Sequence, residues 1–318
     1  MKALFVTHAG PEIGGGHLSR CLALSQALRE FGVVSVWALN GEAERQAASL
    51  GITDAVFFDD PFAGDRSFPP DIADFSVADS YAAGDKFFEF ASLRSPLVVI
   101  DDLHDRGAEH FARVIISYGL TSKRDFYKNP ECEYLIGPNY ALLRREYWDM
   151  APKTGNYVLF VPGAADVAGS AAKIAGMWPE DAEKLVITLG PLVPERRRKE
   201  ASTASLGRGN VEILDSPADF PALLAGAGRI ICSASVTAFE ALAMEKKIAV
   251  FTVADNQRGL GEYLKKIGAA FDLGCWESVG PDSIKAALRF EPDNEILKGL
   301  VNKRGALACA EAIVDLLG

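Results

Sequence analysis

The stretch Glu12-Ile13-Gly14-Gly15-Gly16-His17-Leu18-Ser19-Arg20 joins a turn without side chains to an imidazole. Glycines have no Cβ, so the backbone can turn sharply there and approach a ligand closely. A helix opened by such a turn presents free N–H groups and a partial positive charge, which suit a phosphate or another anion. His17 stands at that start, and an imidazole exchanges protons near neutral pH. Proton transfer beside an anion is the chemistry these residue types allow. The same residues also suit plain strand-to-helix geometry, with the histidine as a cap or a solvated side chain.

A second group lies far along the chain. Ser233-Ala234-Ser235-Val236-Thr237 ends an apolar run just before a helical one. Hydroxyls and N–H groups in that position can hold a diphosphate without a metal, and Glu240, on the next turn, can accept from two ribose hydroxyls. Their structural use would be an N-cap serine and a helical acid. Gly163-Ala164-Ala165-Asp166 is a matching strand-to-helix turn, and Asn256-Gln257 carries amides able to reach a nucleotide or to close a turn. Asp101-Asp102 follows an apolar run, a position that favours sites in open α/β sheets. No cluster of His, Cys, Asp or Glu has a metal-ligand spacing, so no metal is expected.

These groups need a scaffold, and the pattern supplies one. Residues 3–6 read as a buried strand, 18–31 as a helix, 33–39 as a strand, 42–50 as a helix and 56–58 as a strand. That βαβαβ rhythm predicts a parallel sheet with ligands at the strand C-termini. Residues 60–70 read as a loop, 72–93 as largely helical, and 97–100 as a central strand; 114–117 and 134–136 complete the sheet. Gly137-Pro138-Asn139-Tyr140 breaks the pattern, and the boundary falls at Ala151-Pro152-Lys153-Thr154-Gly155. A second cycle follows, with strands at 157–161, 185–189, 210–214, 229–232 and 248–253. Its helices read at 167–177, 236–244, 258–267, 281–288 and 294–317, the last with a weak point at Gly305. The expectation is an α/β protein of two Rossmann-type α/β/α domains, 1–150 and 151–318, with a cleft between them.

Composition narrows the function. The 318 residues suit two domains of ordinary size. The formal net charge is −10, which argues against a nucleic-acid partner. The basic run Arg196-Arg197-Arg198-Lys199 reads as a solvated helix face. Five scattered cysteines make neither a disulfide framework nor a zinc site, and point to a reducing cytoplasm. The N-terminus reads as a strand rather than a signal peptide, and no apolar run reaches the length of a membrane span. The glycine turn lacks the G-x-G-x-x-G spacing and no P-loop is present, against a nicotinamide oxidoreductase or a P-loop ATPase.

Taken in order, the motifs resemble a family. The start of the chain through Gly14-Gly15-Gly16-His17-Leu18-Ser19-Arg20 is similar to the UDP-2,4-diacetamido-2,4,6-trideoxy-β-L-altropyranose hydrolases of pseudaminic acid biosynthesis and to related spore-coat polysaccharide proteins. The likeness continues through Ile100-Asp101, through Gly137-Pro138-Asn139-Tyr140-Ala141-Leu142, through Ser233 to Leu242, and through Asp255-Asn256-Gln257. The resemblance implies a GT-B-like fold, similar to the MurG glycosyltransferases, and hydrolysis of a UDP-sugar with His17 activating water. It implies no cofactor, and other enzymes of the same sugar pathway as partners. It puts Gly14, Gly15, Gly16, Arg20, Asp101 and Tyr140 on the sugar side. Around the nucleotide it puts Gly163, Asp166, Ser233, Ser235, Thr237, Glu240, Asn256 and Gln257. The chain differs from the family pattern at Val6-Thr7-His8, at Asp102-Leu103 and at Gly163-Ala164-Ala165-Asp166. Two alternatives use the same residues: a glycosyltransferase with a sugar or lipid acceptor in place of water, and a nucleotide-sugar-binding protein without turnover.

Overall fold

The computed structural model of the chain describes residues 1–63 and 73–318. Most of the loop read at 60–70, and the first residue of the helix read at 72–93, lie outside the described residues. The chain divides into two compact units, Met1–Trp148 with Arg304–Gly318, and Asp149–Lys303. The last 15 residues thus group with the first 148 rather than with 149–303.

In the first unit the elements run β1 (Lys2–Thr7), α1 (Gly16–Glu30), β2 (Val34–Asn40), α2 (Glu44–Ser49), β3 (Ala55–Phe58), β4 (Phe75–Asp79), α3 (Asp85–Ser92), β5 (Leu97–Ile100), β6 (Val114–Ser117) and β7 (Glu133–Ile136). The sheet order is β3-β2-β1-β4-β5-β6-β7, with every pair parallel. Strands β4, β5 and β6 are buried at every residue, which is why β5 reads as an apolar run rather than an alternation. Val6, Ala78 and Val99 share one core cluster with Phe87 and Phe88 of α3. Burying each such aromatic ring contributes roughly 1.5–3 kcal/mol.

The helix read at 72–93 is half wrong. Its first part is β4, the strand beside β1, and only its second part is helical. Phe75-Ser76-Val77-Ala78-Asp79 has one β-branched residue and lies only five residues ahead of the apolar α3, so local pattern favoured a single helix. Tertiary pairing on both edges decides the strand. The correction moves the sheet's centre to β1 and β4, so β5 and the Asp101 that follows it lie one strand further out.

In the second unit the order is β8 (Tyr157–Val161), α4 (Ser170–Met177), β9 (Lys184–Leu189), α5 (Glu195–Ser205), β10 (Val211–Asp215), α6 (Phe220–Gly226), β11 (Arg229–Ser233), α7 (Val236–Ala243), β12 (Lys247–Thr252), α8 (Arg258–Lys266), β13 (Ala270–Cys275), α9 (Pro281–Arg289) and α10 (Asn294–Leu297). This sheet is also parallel, in the order β10-β9-β8-β11-β12-β13. Sequence pattern gave no sign of α6, or of β13, whose half-buried, glycine-bearing run lacks a continuous apolar signature.

The final helix, α11 (Gly305–Leu317), is separate from α10; the expected single helix breaks between them. Gly305 explains where α11 settles. A Cβ there would come within 2.6 Å of the Ala141 carbonyl oxygen and closer still to the Ala141 amide nitrogen. Both are backbone atoms that cannot swing aside. Gly305→Ala is therefore expected to lower stability by about 1–3 kcal/mol through overpacking. Urea denaturation with an unchanged midpoint would contradict that packing.

Candidate functional site

In an open parallel sheet, ligands bind where neighbouring strands send their chains to opposite faces. In the first unit that point lies between β1 and β4. The backbone leaving β1 turns through Gly10 and Gly14, which exchange two hydrogen bonds of 2.7 and 3.2 Å, and Gly14 takes φ +81°. Gly15 accepts a hydrogen bond from Gln46 Nε2 at its carbonyl, and a Cβ on Gly15 would stand 2.8 Å from Gln46 Oε1. Gly16 opens α1 without a side-chain cap. The glycines thus serve first as close packing that sets where the helix begins.

That start sets His17 and, one turn later on the same face, Arg20. Both are buried, 5% and 4% exposed. Asp79 closes β4 opposite Thr7 and is 1% exposed. His17 Nδ1 lies 2.7 Å from Asp79 Oδ1. Arg20 grips the same carboxylate with two arms, Nε to Oδ2 at 2.6 Å and Nη2 to Oδ1 at 2.8 Å. Its third arm, Nη1, donates to Asp102 Oδ2 at 2.6 Å. Tyr81 OH donates to that same Asp102 oxygen at 2.9 Å, and the Tyr81 ring meets His17 edge-on with centroids 4.5 Å apart.

The proton on His17 follows from this arrangement. Arg20 Nη2 is also 2.9 Å from His17 Nδ1, but the Asp79 carboxylate, 2.7 Å away, can only accept, so Nδ1 donates its proton there. That leaves Nε2 as the ring nitrogen turned away from Asp79 and available for proton exchange. Burial opposes charge on Asp79, but Arg20 and His17 outweigh it and hold the carboxyl well below the usual carboxylate range. Burial opposes the charge on Arg20 as well, and Asp102 and Asp79 together raise its pKa above the ordinary value. Asp102 is held down the same way, with Arg20 overcoming burial. Burial first, then Asp102 against Arg20, pushes the Tyr81 hydroxyl up, so it stays a donor.

His8 completes the group. It follows β1, is 8% exposed, and its ring centroid lies 4.9 Å from that of His17 and 5.5 Å from that of Phe62. Phe62 is held by the Asp60 carboxylate, which accepts from its amide at 2.8 Å. Burial and then His17 pull the His8 pKa down to about 4, against Asp79 and Asp60. His8 is therefore neutral beside His17 at physiological pH.

Several residues expected on the sugar side are committed elsewhere. Arg20 points its three bonded arms at carboxylates, so it holds the site together instead of reaching a ligand. Asp101 is 1% exposed, pairs with Arg106 at 2.9 Å, and accepts from the His104 amide and Tyr127 OH at 3.2 Å each, which ties down the loop after β5. Tyr140 ends a short turn beyond β7 and packs against α11. There its carbonyl accepts from Cys309 Sγ at 3.5 Å. The sequence reading missed Asp79 and Tyr81 because both fell inside the misread helix. The one available signal was an acid closing a short apolar run just ahead of Gly84.

The second unit repeats the topology, with its switch point between β8 and β11. The turns after those strands, at Gly163 and at Ser233 to Thr237, come together: a Cβ on Gly163 (φ +92°) would stand 4.0 Å from Ser233 Oγ. Ser235 occupies the N-cap position of α7 but makes no side-chain cap; its hydroxyl lies 2.9 Å from that of Ser233. Thr237 is half-buried in the first turn of α7 and Glu240 is 4% exposed in the next. Asp166 is a correction. At φ +45° its carboxylate accepts from the Ser170 amide at 2.6 Å and hydroxyl at 2.7 Å and from the Ala171 amide at 3.3 Å, so it caps α4. Gln257 Oε1 accepts from the Val253 amide at 2.9 Å and closes its own turn, while Asn256 is exposed beside it. Among the described residues, no group of three or more His, Cys, Asp or Glu could hold a metal, and no helix is long and apolar enough to cross a membrane.

Two measurements test this account. Asp79→Asn removes the charge shared by Arg20 and His17 and is expected to cost about 3–5 kcal/mol in urea denaturation; a loss below about 1 kcal/mol would contradict the pairing. For His8, the unfolded chain takes up the proton first, so stability falls as pH drops from about 6.5 towards 4. Between pH 7 and pH 5 that should remove about 2 kcal/mol. His8→Gln is expected to lose about that much less than the parent over the same interval.

No family model matches the sequence, and no curated protein matches it. Solved structures do match. MurG from Acinetobacter baumannii aligns with TM-score 0.59 and 14% identity over 100% of this chain and 99% of that one. The glycosyltransferase SnogD from Streptomyces nogalater gives 0.66 and 18% over the whole of both chains. The UDP-GlcNAc 2-epimerase of Methanocaldococcus jannaschii, solved with UDP-GlcNAc and UDP, gives 0.60 and 11% over 99% of this chain and 100% of that one. At these identities the likeness is one of fold, and the chain has the GT-B fold of two parallel-sheet α/β domains.

Proposed function

We propose that the chain is an enzyme of nucleotide-sugar chemistry that transfers the sugar of a UDP-sugar to an acceptor hydroxyl. The observation that carries the proposal is the His17–Asp79 pair, 2.7 Å apart and buried where β1 and β4 part. An alcohol is a poor nucleophile until a base takes its proton, and His17 Nε2 is oriented and polarised for that role. In the step, the acceptor oxygen bonds to the anomeric carbon and its proton passes to His17 Nε2. The bond from that carbon to the phosphate oxygen breaks, and its electron pair leaves on UDP. In the second unit, backbone N–H groups at the start of α7 and the hydroxyls of Ser233, Ser235 and Thr237 have the chemistry to bind a diphosphate, and Glu240 that to accept from a ribose.

The full-length likeness of fold to glycosyltransferases and to UDP-sugar epimerases supports this class. The motif likeness to UDP-sugar hydrolases favours a second reading with water in the acceptor's place, and the same base would serve it.

Acceptor dependence separates the two. The purified protein is incubated with UDP-N-acetylglucosamine and UDP-glucose, with and without a panel of saccharide and lipid alcohols, and UDP and sugar products are followed by NMR. Transfer predicts UDP release that rises with acceptor and a new glycoside; hydrolysis predicts equal release with free sugar alone. In either case His17→Ala should lower kcat by about 10²–10⁴-fold. An undiminished kcat would remove His17 from the mechanism.

A further inference from the structure

Tyr81 is an aromatic side chain with no place in the proton transfer. It follows β4 by two residues and is 40% exposed, while His17, Arg20 and Asp79 around it are buried. Its ring is held by the edge-on contact with His17 at 4.5 Å and by the hydroxyl bond to Asp102 at 2.9 Å. Arg20 in turn holds Asp102. A ring pinned by its hydroxyl cannot turn into the core, so it keeps apolar surface in water at some cost.

Whatever gives up a proton to His17 must bring its oxygen within about 2.6–3.2 Å of that ring. Tyr81, whose centroid is only 4.5 Å from that of His17, is a partly exposed aromatic surface within reach of that group's carbon framework. The surroundings select the kind of framework. Asp102 accepts from the Tyr81 hydroxyl, and the Arg106 guanidinium carbon is 5.9 Å from the Tyr81 ring centroid. A wholly apolar ligand would strip water from these charges and return nothing. A pyranose offers a C–H face for the ring and hydroxyls for the charged rim.

We infer that Tyr81 is the platform on which the ring of a saccharide acceptor stacks, and that it selects a sugar over a lipid or flat aromatic alcohol. The inference rests on the reading of His17 as base towards an acceptor.

The test measures binding as well as turnover. Saturation-transfer NMR with methyl glycosides of glucose, galactose and N-acetylglucosamine is run on the parent, Tyr81→Phe and Tyr81→Leu. Denaturation midpoints confirm that each variant is folded. Tyr81→Phe keeps the platform and loses only the tether, so its affinity for the preferred glycoside should stay within about 3-fold of the parent. Tyr81→Leu should weaken binding at least 10-fold, with the transferred signal on one face of the sugar ring in the parent. In turnover the same loss should fall on the acceptor KM, with the donor KM unchanged. Equal binding by parent and Tyr81→Leu overturns the inference, as does a parent that binds 2-naphthol or octanol but none of the glycosides. If glycosides bind through Tyr81 but no UDP is released with any acceptor, the transfer reading falls and the platform stands. If UDP release is acceptor-dependent and indifferent to Tyr81→Leu, the platform falls and the transfer reading stands.

Discussion

The buried Arg20 guanidinium is the constraint on which the rest of the site depends. It lies between two carboxylates, gripping Asp79 with two arms and Asp102 with a third. Without it, two acids would face each other in the interior, and one would take up a proton. With it, Asp79 stays ionised and fixes the tautomer of His17, and Asp102 stays ionised and fixes the hydroxyl of Tyr81. The chain of contacts returns on itself through the Tyr81–His17 ring contact. Such an assembly is no bargain for stability, because desolvating ions roughly cancels their attraction and apolar packing serves as well. What it does supply is an imidazole held in one tautomer and one direction.

Backbone topology makes this possible at low cost elsewhere. Each unit carries a parallel sheet whose first and fourth strands are neighbours, and between them the connections leave for opposite faces. The gap so formed needs no special sequence. In the first unit it receives an imidazole and acids; in the second it receives glycine and small hydroxyls. The same architecture therefore takes different side chains in its two units, decided by which residues follow β1, β4, β8 and β11. Gly15, with Gln46 occupying the space of its missing Cβ, shows how closely the start of α1 is fitted to that gap.

Much of this was legible in the chain. The parallel strands are apolar runs ended by glycine or acid, so their number and type could be read wherever the run was continuous, as at β1, β5, β8 and β11. The glycine turn and His17 stood out because a turn of three glycines followed by an imidazole has few uses. The failures share one cause. Asp79, Tyr81 and the strand that carries Asp79 were hidden because Phe75 to Asp79 is a short run with one β-branched residue, separated from the apolar α3 by only five residues. Asp101 and Asp166 drew notice as acids at strand ends, yet the structure spends both on internal bonds, one on Arg106 and Tyr127 and one on the start of α4.

The sequence by itself determined the class of fold, the two cycles of strand and helix, and the residue types available for chemistry, because all three are properties of local pattern. Only the tertiary structure decided which acid serves His17. Partners in a buried ion cluster come from elements far apart along the chain, here His17 and Asp79, 62 positions apart. Their meeting depends on strand order, and strand order is set by packing across the whole sheet, which no local pattern records.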